Sequence, residues 1–201
     1  MSRLKYEDIQ SIPSTLQEFD TELSVKAGYG LKELALRAWE IKNSFNTEKM
    51  EQETVVGVVP VTAGKGCIRG FPEALMSIAR HIGYRALITG SADTAGFAEA
   101  IDSGCTILLM ADDDSYIAYN CRTGVLVNNN VATAFGFVTA LEYMAGGFAG
   151  KEILVLGAGP IGRGGIEPPG REVGLAARRQ DGAQGQAVDP DGRRQGPGQA
   201  P

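Results

Sequence analysis

The stretch "TVVGVVPVTAGKGCIRG", Thr54 to Gly70, decides the architecture. Its first part, Thr54 to Val61, is β-branched and apolar at nearly every position. A strand with one wet face alternates. A run that is apolar on both faces suits a strand buried inside a parallel sheet. "TAGKGCIRG" then reads as a glycine-rich loop. Working outward, "FPEALMSIARHIGY" predicts a helix, "RALIT" a second strand, "SADTAGFAEAIDSG" a helix closing at Gly104, and "TILLMADDDS" a third strand that runs into acids. Strands alternating with helices in this way are the signature of an α/β sheet. Upstream, Leu16, Phe19 and Leu23 recur at helical spacing, so Ser14 to Val25 reads as a helix with Ser14 at its start. Leu31 to Phe45 reads as a second helix, with Gly28 and Gly30 between the two. "NTEKMEQET" is a polar linker. Downstream, Val131 to Gly147 reads as a long helix, and "KEILVLGAGPIG" as a strand and glycine turn.

Composition narrows the function classes. The net charge of -5 and pI near 5.0 give no general attraction to nucleic acid or to anionic membrane, so neither is expected as a partner. The N-terminal "MSRLKYEDIQ" is too polar for a secretory signal, and no apolar run approaches the roughly 20 residues that span a bilayer. Cys67, Cys105 and Cys121 show no CxxC spacing and read as reduced thiols in a cytoplasmic protein. One histidine, His81, cannot build a multi-histidine metal site, and no metal is expected. His81 reads as a polar helix-end residue.

Four motifs carry chemistry. "ILVLGAGPIG" puts GxGxxG directly after a strand. Gly157 permits the tight turn, Gly159 lets backbone approach a pyrophosphate, and Gly162 lets the next helix pack on its strand. Pro160 and Ile161 open that helix, where a missing N–H costs little. "VVPVTAGKG" places Thr62, Ala63 and Gly64 at a strand's carboxyl end, either as a ligand loop or as a plain connection. It lacks the spacing of a P-loop. Asp112, Asp113 and Asp114 follow an apolar strand. Three adjacent carboxylates repel one another and invite a cationic partner, or else form a solvated turn. Asn128, Asn129 and Asn130 precede a long helix; one can cap it while others bond a ligand.

Beyond the glycine turn the texture changes. Gly164 to Pro201 contains no aromatic residue, lysine, serine or threonine. Gly164, Gly165, Pro168, Pro169 and Gly170 stand where the helix of a nucleotide fold should run. An interior proline costs about 3 kcal/mol and a glycine about 1. No helix, second strand or placed ribose acid is expected there, and Asp181, Asp189 and Asp191 lack an apolar strand to carry them. The expectation for 166–201 is a disordered tail, with an out-of-frame origin as its hypothesis.

Taken in order, "GVVPVTAGKGCIRGFPEAL", "DTAGFAEAIDSGCTILLMADDDSYIAYN", "VNNN" and "ILVLGAGPIG" resemble the PylD family of pyrrolysine biosynthesis proteins. The resemblance implies the last step of that pathway: NAD-dependent oxidation of the terminal amine of 3-methylornithyl-lysine, followed by cyclisation to the pyrroline ring. It implies N-terminal helices, a small α/β catalytic portion, and a Rossmann domain of which this chain holds the first strand and glycine turn. The implied division is 1–150 for the helical and α/β substrate part, 151–165 for the start of the NAD domain, and 166–201 for the tail. Asp112 matches the family's substrate-binding acid, implied to hold the reacting amine and able to accept its proton. Thr62, Ala63 and Gly64 match a substrate loop in which the family has serine at the Ala63 position, and Thr62 is a substitute source of that hydroxyl. Asn128 and Asn129 match paired substrate asparagines, and Leu4 matches a segment that covers the substrate. Gly157, Gly159, Pro160, Ile161 and Gly162 match the NAD turn. A homodimer is carried as an open expectation.

Two function classes therefore stand. One is an NAD-dependent amine or amino-acid dehydrogenase of this family. The other is a non-catalytic truncated fragment with at most weak binding of an amino-acid ligand. "MADDDSYIAYN" argues against an unrelated dehydrogenase that shares only the glycine turn.

Overall fold

The computed structural model describes residues 4–39, 51–157, 159–166 and 177–178. Helices lead the chain: α1 (Tyr6–Ile9), α2 (Ile12–Ala27) and α3 (Leu31–Ala38). Then come β1 (Val55–Val59), α4 (Phe71–His81), β2 (Arg85–Ile88), α5 (Asp93–Asp102), β3 (Ile107–Ala111), β4 (Tyr116–Asn120) and β5 (Leu126–Asn128). The last elements are α6 (Asn129–Met144), β6 (Val155–Leu156), α7 (Pro160–Ile166) and β7 (Ala177–Arg178). The α/β class expected from the alternation is what the chain forms.

One five-stranded sheet has the order β2-β1-β3-β4-β5. β1 lies between β2 and β3 and runs parallel to both, Val56 facing Ala86 on one side and Ile107 on the other. The uninterrupted apolar run of Thr54–Val61 thus has its explanation: Val56, Val58 and Val59 are all buried, because helices cover both faces of this central strand. On one face α5 packs so closely that a Cβ on Gly57 would lie 3.2 Å from Ala100 Cβ. Val59, Ala100, Cys105 and Leu108 form that core. Val56, Ala79 and Ala86 form a second core on the α4 side. The two strands beyond β3 were not legible as strands. β4 and β5 pair antiparallel, β4 beside β3 and β5 beside β4, and make the sheet mixed.

The N-terminal helices dock through an unexpected residue. In α2 the packing stripe is Leu16, Asp20, Leu23 and Ala27, whereas Phe19, expected on the apolar face, is 52% exposed. Asp20 belongs on the stripe because its carboxylate is satisfied there. Oδ1 accepts the Leu31 N–H at 2.6 Å, capping α3, and Oδ2 lies 2.7 Å from His81 Nε2 at the end of α4. His81, read as a helix-end polar group, is thus half of the bond that ties α2 to α4. Burial of Asp20 opposes its ionisation, but the Leu31 amide and the His81 ring outweigh it and hold the carboxyl below its ordinary 3.8. A folded-state pKa below the unfolded one gives stability that is full above 3.8 and lost as pH falls through the folded value. Urea midpoints followed from pH 6 down to about 3 should therefore fall more steeply in the native chain than in Asp20→Asn.

The chain divides into two units, Met1–Asn129 and Asn130–Pro201. The first unit is complete once β5 closes the sheet at Asn128, and α6 beyond its first residue is grouped with β6, α7 and β7. In the second unit β6, α7 and β7 make a strand–helix–strand unit with β6 and β7 parallel, Val155 opposite Ala177 and Leu156 opposite Arg178. Two expectations are corrected here. The helix continues through Gly164 and Gly165 to Ile166, because a helix already opened at Pro160 propagates at about 1 kcal/mol per glycine. A strand does follow it, because main-chain pairing needs no apolar side chains. The rest of the tail, with Asp181, Asp189 and Asp191, lies outside the described residues. Among the described residues, no helix is long and apolar enough to cross a membrane.

Candidate functional site

Because β1, β2 and β3 are parallel, their carboxyl ends share one edge of the sheet. The loops leaving that edge are 60–70, 89–92 and 112–115, and hydrogen bonds stitch them together. The Asp93 N–H donates to Pro60 O at 2.9 Å. The Thr62 N–H donates to Asp93 Oδ1 at 2.8 Å, and the Thr62 hydroxyl donates to Asp93 Oδ2. Farther along the loop, the Lys65 N–H donates to Asp113 Oδ2 at 2.8 Å. Gly64 makes this approach possible. Its φ is +65°, and a Cβ there would stand 2.4 Å from Asp113 Oδ2. Only glycine meets both conditions.

The three acids divide their tasks. Asp112 Oδ1 accepts the N–H groups of Asp114 at 2.8 Å and Ser115 at 2.7 Å, and its own N–H donates to Ser115 O. This closes the β3–β4 turn. The Ser115 amide first, then that of Asp114, holds the Asp112 carboxyl below the usual carboxylate range. The same two amides that favour the charged form also fix the carboxylate in place, an arrangement suited to a cationic partner. Asp113 serves the glycine loop. Among the described residues no three His, Cys, Asp or Glu side chains group so as to hold a metal ion.

The hydroxyl of Thr62 donates to Asp93, so its proton is already committed; toward a ligand it keeps acceptor capacity only. It does not replace a free serine hydroxyl at Ala63. Asn128 ends β5 and Asn129 opens α6. Leu4 is 50% exposed and precedes α1. Two residues on, the Tyr6 ring lies 5.3 Å from the Arg69 guanidinium carbon, and a Cβ on Gly70 would sit 3.3 Å from Tyr6. The N-terminal segment is thus brought to the far end of the glycine loop. Phe71 continues that contact edge-on to Tyr116, at 5.9 Å between ring centroids. Burial pushes the Tyr116 phenol up to about 12.

Asp93 was missed by sequence reasoning. Its signal is faint, since an acid in the first turn of a helix is ordinary. The β2–α5 connection holds a second carboxylate clamp: Glu99 accepts the N–H of Gly90 at 2.7 Å and of Ser91 at 2.8 Å. Those amides, Gly90 first, lower its pKa.

In the second unit the glycine turn has the geometry its spacing requires. Gly157 adopts φ +102°, and a Cβ on Gly162 would lie 2.0 Å from Gly157 O. The helix therefore packs on its strand only with glycine at 162. All three cysteines are free thiols.

These features define an α/β domain whose loops gather at the carboxyl edge of parallel strands, where open α/β sheets bind ligands. The chain belongs to the pyrrolysine biosynthesis protein PylD family, whose N-terminal domain matches residues 8–127. Among similar proteins, a pyrrolysine synthase of Methanosarcina acetivorans is 32% identical over 163 residues, which is 81% of this chain and 59% of that protein. A pyrrolysine synthase of Methanosarcina barkeri is 31% identical over 168 residues, 83% of this chain and 60% of that protein. The chain thus spans about three-fifths of the length of these relatives.

Proposed function

We propose that the first unit is the substrate-holding part of a pyrrolysine-forming enzyme, in a reducing cytoplasmic setting. The reaction is the oxidation of the terminal primary amine of 3-methylornithyl-lysine to an aldehyde or its imine equivalent. The ring then closes by attack of a second amine of the substrate: on the imine this releases ammonia, and on the aldehyde, whose formation by hydrolysis has already released the ammonia, it releases water. The observation that carries this reading is Asp112. It is an anion fixed by two backbone amides at the carboxyl end of β3, across from a loop held by Asp93 and Asp113. A substrate with several ammonium groups needs such a fixed anion, and orienting the reacting amine is mainly a positioning task. Held in place by the Ser115 and Asp114 amides, Asp112 binds and aligns the ammonium and stands beside the proton the amine must lose.

Three glycines support a nucleotide pyrophosphate here: Gly157 takes a φ of +102°, Gly159 has nothing within 4 Å of where a Cβ would stand, and Gly162 lets the helix close on Gly157 O. Gly157, Gly159, Pro160, Ile161 and Gly162 would border it, and NAD, when bound, supplies the hydride acceptor.

Calorimetric titration of the chain with 3-methylornithyl-lysine tests the reading. Asp112→Asn keeps an oxygen for the two amides and removes the charge. It should weaken binding at least about tenfold, and Asp112→Ala should weaken it further. Matching isotherms for native and Asn chains would sink the assignment.

A further inference from the structure

Asp93 is the only non-glycine with positive φ among the described residues, at +56°. Aspartate visits this region more readily than most residues, but it holds it only where the surroundings demand it. The demand here does not come from its own helix. Both carboxylate oxygens of Asp93 are taken by Thr62, one by the peptide N–H and one by the hydroxyl. Its own N–H reaches back to Pro60 O. Three bonds therefore bolt the exit of β1 to the start of α5. The other end of the loop is held independently, by Asp113 at the Lys65 amide. Ala63 and Gly64 hang between these two anchors, and among the described residues their N–H groups donate to nothing in the protein.

We propose that Asp93 is a positioning residue that holds Thr62 and thereby sets Ala63 and Gly64 as fixed backbone donors for the ligand. The strained φ is the signature of this role, since it is what turns the carboxylate away from α5 and onto the loop. With Asp113 in contact with Gly64, the donors suit a neutral carbonyl oxygen better than a carboxylate, which that acid would repel. The substrate side of this inference rests on the function proposed above; the holding of the loop does not.

Two variants separate the contributions. Asp93→Gly accepts the backbone conformation and lacks the carboxylate. Asp93→Asn accepts the conformation and keeps an acceptor for the Thr62 amide. On the full chain, amide exchange read by NMR should be about tenfold faster at Thr62 in Asp93→Gly, with Lys65 unchanged. Binding of 3-methylornithyl-lysine should weaken about fivefold or more, with the thermal midpoint little changed. Asp93→Asn should recover the Thr62 protection and most of the affinity. Unchanged exchange at Thr62 in Asp93→Gly overturns the proposal. So does faster exchange spread through Lys65 with a falling midpoint, which marks a merely structural residue. If the native chain does not bind 3-methylornithyl-lysine, the substrate reading fails, while the exchange pattern still decides the role of Asp93.

Discussion

Leu108→Ala should cost the chain about 3 kcal/mol of stability, read as a lower urea midpoint at constant slope. Leu108 is 0% exposed in β3, the middle strand of the sheet, between β1 and β4. Val59, Ala100 and Cys105 surround it, and they sit on backbone pinned by sheet pairing and helix packing. Such a site cannot collapse around a missing isobutyl group, so the cavity adds to the lost burial. The control is Leu126→Ala on the edge strand β5. Leu126 is 56% exposed, and its truncation should stay within about 0.5 kcal/mol. Similar losses at the two positions would contradict the placement of the core.

Gly96→Ala opposes two effects of known size. Inside a helix, alanine is favoured over glycine by about 1 kcal/mol. At Gly96, however, a Cβ would stand 2.4 Å from the Ser91 carbonyl oxygen and 2.9 Å from Val59 Cγ1. Neither neighbour can swing aside, since one is backbone and the other is core. α5 must lift from β1, and overpacking of this kind costs about 1–3 kcal/mol. The net expectation, after the propensity gain is subtracted, is a destabilisation of about 1 kcal/mol. Gly136→Ala in α6 meets nothing within 4 Å, so the propensity alone should act and stabilise by about 0.5–1 kcal/mol. Opposite signs at two helical glycines, measured by the same denaturation, check this reading. Because α5 begins at Asp93, the lift at Gly96 should also loosen the Thr62 loop.

The parallel core was legible because each of its parts announces itself locally. Val55 to Val59 is apolar on both faces, glycines punctuate each helix end, and the acids of 112–114 follow directly on an apolar strand. The antiparallel strands β4 and β5 were not legible: "YIAYN" is half-buried along its whole length, with no apolar run or alternation to mark it, and "LVN" has three residues. The glycine turn was legible as spacing, but the strand that pairs with β6 was not. Ala177 and Arg178 pair through main-chain bonds that side-chain patterns do not record.

For the candidate site, sequence alone determined which residue types stand at the carboxyl ends of the strands: Thr62, Ala63 and Gly64 after β1, and Asp112 to Asp114 after β3. Tertiary structure alone decided what each does. Asp20 replaces Phe19 on the buried stripe because a capped helix and a histidine wait there for its carboxylate. Thr62 gives its proton to Asp93, which lies 31 residues away in the chain. Asp112 becomes a fixed anion by closing its own turn, while Asp113 reaches across to Lys65. Spacing in sequence governs local turns and helix faces. Which carboxylate meets which amide depends on parallel strands delivering distant loops to one edge, and no local pattern encodes that meeting.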